Sequence, residues 1–152
     1  IKLGQYKDFS CLRAGRFKPG STLVGYSNFR IFGNKVFKYI YSILINKEIF
    51  DIGAGLAIFK IEDIKKINYE YFVNDMSFDS FMILVFDYYN LKFDFFNVHW
   101  KETDQISNTN LFKTAIKILD NLIRYKINKK KFINDHYSKK KESYEYETVF
   151  EN

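Results

Sequence analysis

Two arginines in glycine-containing loops are candidate anion ligands. Arg16 lies in the stretch Gly15-Arg16-Phe17-Lys18-Pro19-Gly20-Ser21, and Arg30 follows fourteen residues later, just before Gly33-Asn34. A guanidinium binds phosphate through two parallel hydrogen bonds, so either residue could bind an anion of this kind. The alternative for each arginine is a solvated charge on a loop.

Two aspartates are candidates for acid–base chemistry. Asp51 precedes Gly53-Ala54-Gly55, and Asp79 follows Ser77-Phe78. A carboxylate within hydrogen-bond reach of an acceptor hydroxyl can take its proton. Structural roles are the alternatives, because an Asp before glycine often hydrogen-bonds its own backbone and Asp79 could cap a helix. Asp75 is a third candidate.

A polar stretch follows the last expected strand. It reads Trp100-Lys101-Glu102-Thr103-Asp104-Gln105-Ile106-Ser107-Asn108. Taken alone, Trp100 is expected to be a half-buried aromatic, and Ser107 and Asn108 are expected to cap the next helix.

Together and in this order, these patches resemble the C-terminal half of the inverting glycosyltransferases that include the polyprenyl-phosphate (dolichyl-phosphate-type) sugar synthases. The resemblance covers about residues 12–127. Its most specific part is the family's Trp-Arg-Glu-Glu-Asp-Gln-x-Ser-Asn stretch, matched at 100–108. Lys101 stands where that family has Arg, Gly15 where it has Ser, and Ala54 where it has Ser.

The resemblance implies an α/β fold, a mixed sheet with helices that forms the acceptor-side half of a GT-A nucleotide-diphospho-sugar transferase. The family's nucleotide-binding half, which ends in an Asp-x-Asp metal motif, has no counterpart after Ile1. Mg²⁺ or Mn²⁺ would be held there and not by this chain, and this fragment alone would be inactive. The implied activity is hexosyl transfer from a nucleotide sugar to a lipid-phosphate or glycan acceptor, in bacterial cell-envelope polysaccharide synthesis.

The resemblance also implies a role for individual residues. Asp79 is favoured as the catalytic acid or base, with Asp51 near the sugar. Phosphate or donor binding falls to Arg16, Arg30 and Lys101. Acceptor binding falls to the group Gly53, Ala54, Gly55, Trp100, Glu102, Gln105 and Ser107.

Hydrophobic periodicity predicts the elements that must position these residues. Residues 1–33 are expected to be a long irregular region because glycines interrupt every apolar run. The other expected elements are a helix over 34–46, a buried strand over 56–59, a short helix over 61–70 with Ile61, Ile64 and Ile67 inward, a strand over 93–98 with Phe93, Phe95 and Asn97 on one face, and a helix over 110–124. Residues 79–89 are apolar almost all round, so periodicity does not separate a buried helix from a buried strand there. Their length and the capping candidates Ser77 and Asp79 favour a helix, whereas their aromatic and β-branched content favours a strand, and a helix is expected. The expected domains are a catalytic part, 1–127, and a charged tail, 128–152.

Composition and charge restrict the remaining possibilities. With 47% hydrophobic residues the chain can build a core, and one Cys and two His cannot make an internal disulfide or a closed zinc site. Residues 124–141 hold eight basic residues against one acid, Asp135. Such a segment is either a solvated tail or a contact with anionic lipid at the inner face of the cell membrane.

Nucleic acid is not an expected partner, because the basic segment lacks a recognisable reading helix or stacking platform. The alternative to an enzyme is a non-catalytic basic module for membrane association or dimerisation, and a homo-oligomer is compatible with either function. The expected location is cytoplasmic, peripheral to the membrane.

Overall fold

The structure is a computed structural model that describes residues 5–72, 75, 77–102 and 111–136. Within these residues the strands are β1 (Cys11–Gly15), β2 (Thr22–Val24), β3 (Ala57–Phe59), β4 (Phe93–Asn97) and β5 (His99–Lys101). The helices are α1 (Asn28–Ile45), α2 (Ile61–Lys66), α3 (Phe78–Tyr88), α4 (Leu111–Ile127) and α5 (Lys129–Asp135), with short 3₁₀ turns at Gln5–Asp8 and Tyr69–Tyr71. The expected α/β class with a mixed sheet is confirmed.

The main sheet has the strand order β3-β1-β4. Strand β1 is antiparallel to β3 and parallel to β4, with Arg13 opposite Ala57 on one side and Phe95 on the other. A second, two-stranded sheet pairs β2 with β5 in parallel, with Leu23 opposite Trp100. Every residue of β1 is buried, so this strand is the centre of the fold.

Helix α3 supplies most of the core. All its residues from Ser80 to Phe86 are buried, which explains why its sequence is apolar almost all round. Its aromatic side chains reach both the sheet and α5, since the Phe86 ring lies 5.7 Å from Phe93 and the Phe81 ring 5.7 Å from Phe132. The predicted helix over 79–89 is confirmed.

Helix α1 begins six residues before its predicted start. Ser27 is the N-cap and accepts a hydrogen bond from the Arg30 backbone N–H at 3.3 Å, and Asn46 ends the helix in the left-handed conformation. The prediction began the helix at Asn34 because Gly33 closes a glycine-interrupted region, but the helix includes residues 28–33 as well because tertiary packing outweighs the weak helix propensity of Gly33. Arg30 therefore lies in the first turn of a helix.

Several other expectations about elements were wrong. Residues 1–33, which were expected to be irregular, contain β1 and β2. These short strands form because they pair with segments that are distant in the sequence. Strand β3 lies at a sheet edge, and Ile58 and Phe59 are exposed. Ile61 is exposed as well, whereas Ile64, Ile67, Phe93 and Phe95 are buried as expected. Strand alternation places Asn97 on the same face as Phe93 and Phe95, as expected, at the exposed end of β4.

The C-terminal elements also differ from expectation. Helix α4 continues to Ile127, and α5 contributes the buried Phe132 and Ile133 to the core. Residues 129–135 are therefore part of the folded unit and not of a charged tail. None of the described helices is long and apolar enough to cross a membrane.

Candidate active site

The guanidinium of Arg16, directly after β1, forms a buried ion pair with Asp51. Its Nε donates to Oδ2 at 2.6 Å and its Nη2 to Oδ1 at 2.8 Å, while the Arg16 backbone N–H also donates to Oδ2 at 3.1 Å. Asp51 is 1% exposed and Arg16 is 6% exposed. Burial lowers the pKa of Arg16, but the hydrogen bonds and charge of Asp51 outweigh it and raise this pKa above its usual value.

The other donors of Arg16 hold neighbouring loops. Nη2 donates to the Gly53 carbonyl at 2.9 Å, and Nη1 donates to the Tyr26 hydroxyl at 3.0 Å. Four of the five guanidinium N–H groups are thereby used within the protein. The alternative of a solvated loop charge is wrong for Arg16, and little of the guanidinium remains for direct contact with a phosphate.

Arg30 pairs with Glu102, the residue after β5. Nη1 and Nη2 of Arg30 donate to the two carboxylate oxygens at 2.6 and 3.3 Å, and the Trp100 indole N–H donates to Oε1 at 3.2 Å. Burial raises the pKa of Glu102, but these hydrogen bonds and the Arg30 charge lower it below its usual value. The Arg30 side chain keeps 22% of its surface exposed, so it is the more accessible of the two arginines.

Aromatic rings join the two ion pairs into one cluster. The guanidinium carbon of Arg30 lies 4.0 Å from the centre of the Tyr26 ring, and that of Arg16 lies 5.2 Å from the same ring and 5.5 Å from Trp100. Such cation–π contacts are stabilising and fix the plane of the guanidinium. Sequence analysis missed Tyr26, although its position between the two arginines, after Gly25, was a usable signal.

The loop Gly53-Ala54-Gly55 connects the cluster to the second predicted acid. The Gly53 N–H donates to Asp51 Oδ1 at 3.0 Å, and the Gly55 N–H donates to Asp79 Oδ2 at 2.7 Å. Two amides two residues apart are separated by at most about 7 Å. Asp51 and Asp79 therefore flank one short loop, and the turn role considered for Asp51 is confirmed.

Asp79 is held by Arg13 of β1. Arg13 Nη2 lies 2.7 Å from Oδ1 and also donates to the Asp79 backbone carbonyl at 3.0 Å. The Arg13 side chain is 3% exposed but that of Asp79 is 26% exposed, so the Asp79 side chain is partly accessible near the loop although both of its oxygens have partners. The capping role considered for Asp79 is wrong, because Ser77 is the N-cap of α3 and Asp79 lies inside the first turn.

Arg13 was also missed by sequence analysis. It lies inside the short apolar run of β1, which the glycines around it made look irregular. A basic residue within such a run, three residues before Arg16, is the signal that could have identified it. Strand β1 and the residue after it therefore provide the arginines that bind both predicted catalytic acids.

The remaining predicted residues fall in three groups. Trp100 and Glu102 belong to the cluster, whereas Lys101 is exposed and strand alternation directs its side chain away from Trp100. Asp75 pairs with Lys117 of α4 at 2.7 Å instead of joining the loop. Gln105 and Ser107, together with Asn108, lie outside the described residues.

The cluster does not provide a metal site. Across residues 5–72, 75, 77–102 and 111–136, no group of three or more His, Cys, Asp or Glu side chains could hold a metal ion. The carboxylates of Asp51, Asp79 and Glu102 are each bound to an arginine. The residues present do not fit an Mg²⁺ or Mn²⁺ site.

Comparisons with known proteins add no relative. No family model matches the chain, and no significant match was found among curated proteins or solved structures.

Proposed function

We propose that this chain is the acceptor-side half of a GT-A-type glycosyltransferase that moves a hexosyl group from a nucleotide sugar to a lipid-phosphate or glycan acceptor. One observation carries the proposal. The separate sequence patches that resemble the polyprenyl-phosphate sugar synthases each contribute a residue to one connected site. These residues are Arg16, Arg30, Asp51, Asp79 and Glu102.

In this proposal Asp79 is the group that meets the acceptor. Its side chain is partly exposed and accepts a hydrogen bond from the exposed loop at Gly55. A hydroxyl acceptor would give its proton to this carboxylate, whereas a phosphate acceptor is already an anion and would need only positioning. Asp51 is enclosed by Arg16 and serves to hold the loop.

The arginines have different parts in the proposal. Arg30 is partly exposed and supplies positive charge for the donor diphosphate or the acceptor phosphate. Arg16 acts on the same site indirectly, by fixing Asp51, Tyr26 and the Gly53 carbonyl. Lys101 would reach a phosphate only from the other side of β5. Metal ligands would come from the nucleotide-binding half of the enzyme.

A transfer assay tests the proposal. The longest natural protein that contains these 152 residues is incubated with labelled nucleotide hexoses and polyprenyl phosphate, and labelled lipid is extracted. Asp79→Asn should reduce turnover by more than about tenfold. Asp120→Asn, at an exposed position on α4, is the matched control and should leave turnover unchanged. Equal turnover of both variants would contradict the assignment of Asp79, and no transfer from any nucleotide hexose would contradict the function.

A further inference from the structure

Strand β3 leaves one side of its backbone unpaired. The Leu56 carbonyl accepts a hydrogen bond from β1, and the Lys60 N–H donates to the residue before β1, both at 2.9 Å. Because successive residues of a strand direct their backbone groups to opposite sides, Ala57 and Phe59 direct their N–H and C=O groups away from β1. Among the residues that the structure describes, no strand pairs with this side of β3 and no hydrogen bond reaches these four groups. They form the free edge of the main sheet.

The opposite edge of the same sheet is covered by the protein itself. In β4 the carbonyls of Phe93 and Phe95 accept hydrogen bonds from the side chains of Lys47 and Lys18, respectively. A cationic cover of this kind protects an edge strand from pairing with another strand. The described residues provide no such cover for the free edge, and residues 56–59 are all apolar.

A cavity of about 340 Å³ lies beside the free edge. Its walls combine apolar side chains with two lysines, and they are Lys7, Phe9, Leu12, Ile58, Phe59 and Lys60. Ile58 and Phe59 keep 44 and 37% of their surface exposed. In the described part of the chain Lys7 has no ion pair, and Lys60 has only the exposed Glu62 at 3.7 Å. The surroundings of the free edge therefore suit a strand that carries apolar and acidic side chains.

Residues 142–151 of this chain, the acidic segment, have that composition. They lie outside the described residues and read Glu-Ser-Tyr-Glu-Tyr-Glu-Thr-Val-Phe-Glu. From Tyr144 onward, Tyr, Tyr, Thr and Phe alternate with Glu, Glu, Val and Glu. This period of two, with aromatic and β-branched residues, predicts a strand that has one acidic face.

The acidic segment is connected to the fold close to β3. The His136 ring at the end of α5 stacks on Phe81 of α3 at 4.7 Å. Phe86 of the same helix lies 6.2 Å from Phe59 of β3, and the five helical residues between the two contacts rise about 7.5 Å. Residues 137–143 span up to about 24 Å when extended. The connection is therefore long enough for the acidic segment to reach β3 within one chain.

We infer that the acidic segment pairs with the free edge and adds a strand to the main sheet of its own chain. The backbone groups of Ala57 and Phe59 then gain partners, as in other cases of strand addition. The Glu side chains fall on the face of Lys60 and the cavity, and the Tyr rings fall on the face of Phe59. A second copy of β3 is a poorer occupant, because residues 56–60 contain no acid to meet Lys7 and Lys60. The inference goes beyond the proposed transferase activity and does not depend on it.

Amide hydrogen exchange, measured residue by residue by NMR on the full chain, tests the inference. The amides of Ala57 and Phe59 should exchange at least about tenfold more slowly in the unchanged chain than in a variant with Tyr146→Pro and Glu147→Pro. Two adjacent prolines remove one N–H from each side of the added strand, so the variant is informative in either register. Ser138→Pro with Lys139→Pro, in the connection, is the matched control and should leave exchange within about twofold.

A second variant tests the acidic face. Glu145→Gln with Glu147→Gln should speed exchange at Ala57 and Phe59 at least about threefold, because the added strand loses its attraction to Lys7 and Lys60. Circular dichroism checks that the variants fold. If the variant at Tyr146 and Glu147 does not fold, this second variant provides the test.

Three outcomes would overturn the inference. The first is equally fast exchange at Ala57 and Phe59 in the unchanged chain and in the variant with prolines at 146 and 147. The second is the same acceleration in both proline variants. The third is protection that disappears on dilution together with a dimer in analytical ultracentrifugation, which would make a second copy the occupant of the free edge.

Discussion

Arg16 and Asp51, thirty-five residues apart in sequence, bind each other through three hydrogen bonds while both are almost completely buried. A buried ion pair loses hydration on both sides, so its stability depends on every remaining hydrogen bond being made. Tyr26 and the Gly53 carbonyl provide these bonds for Arg16. The pair therefore fixes the loop before β3 against the end of β1. It thereby positions the Gly55 N–H, which donates a hydrogen bond to Asp79.

Removing one partner of this pair should be strongly destabilising. Asp51→Asn leaves the Arg16 charge buried without a counter-ion, and we expect a loss of about 3–5 kcal/mol in the free energy of unfolding, measured with urea. Asp120→Asn breaks the exposed pair with Arg124 and should cost less than about 1 kcal/mol. A loss below that of the exposed pair would mean that Asp51 is not held as described.

Substitution by alanine should destabilise the protein at Gly25 but have little effect on stability at Gly53. A Cβ at Gly25 would lie 2.1 Å from the Glu102 carbonyl oxygen, and the φ of Gly25 is +78°. Gly25→Ala should therefore destabilise the protein by more than about 2 kcal/mol and separate β2 from β5. Gly53→Ala meets no atom within 4 Å and should stay within about 0.5 kcal/mol. Thermal unfolding of both variants measures the difference, and equal effects would contradict it.

Tyr26 should contribute to stability through both its hydroxyl and its ring. Tyr26→Phe removes the bond from Arg16 and should cost about 1 kcal/mol. Tyr26→Leu also removes the ring over Arg30, and should cost roughly 0.5–1 kcal/mol more. Urea unfolding of the two variants separates the contributions of the hydroxyl and the ring. A Leu variant as stable as the Phe variant would mean that the contact between the ring and Arg30 does not stabilise the protein.

The Arg30–Glu102 pair should give a defined pH dependence. Because the pKa of Glu102 is lowered in the folded protein, its ionised form stabilises the fold. This stabilisation is complete above the unfolded pKa of about 4.3 and is lost as the pH falls through the lower, folded value. The stability difference between the protein and Glu102→Gln should accordingly shrink below about pH 4. Glu62→Gln, at an exposed site, should show a smaller change over the same range.

Cys11 should report on opening of the main sheet. Burial raises the pKa of this thiol to about 11, with smaller opposing effects from Arg13, so almost no thiolate exists at neutral pH. Iodoacetamide should fail to label the folded protein and should label it readily in urea. Labelling of the native chain as fast as that of the unfolded chain would contradict the central position of β1.

The sequence was most informative where a pattern is local. The periodicity of α4 identified that helix, since side chains three and four residues apart must share a face whatever the rest of the chain does. Helix α3 has no such period, and its prediction came from its length and from the capping candidates before it. The order of Arg16, Arg30, Asp51, Asp79 and the 100–102 stretch singled out the residues that meet in the site. Their possible chemistry followed from their functional groups.

Only the tertiary structure determined which of these groups face each other. Strand β1 has no clear local signal and exists because β3 and β4 supply its hydrogen bonds. That pairing also brings Arg13 to Asp79 and Arg16 to Asp51. Arg16, which was predicted to bind phosphate, is therefore the partner of a carboxylate. Ion pairing depends on distances between segments far apart in the chain, which periodicity and spacing do not contain.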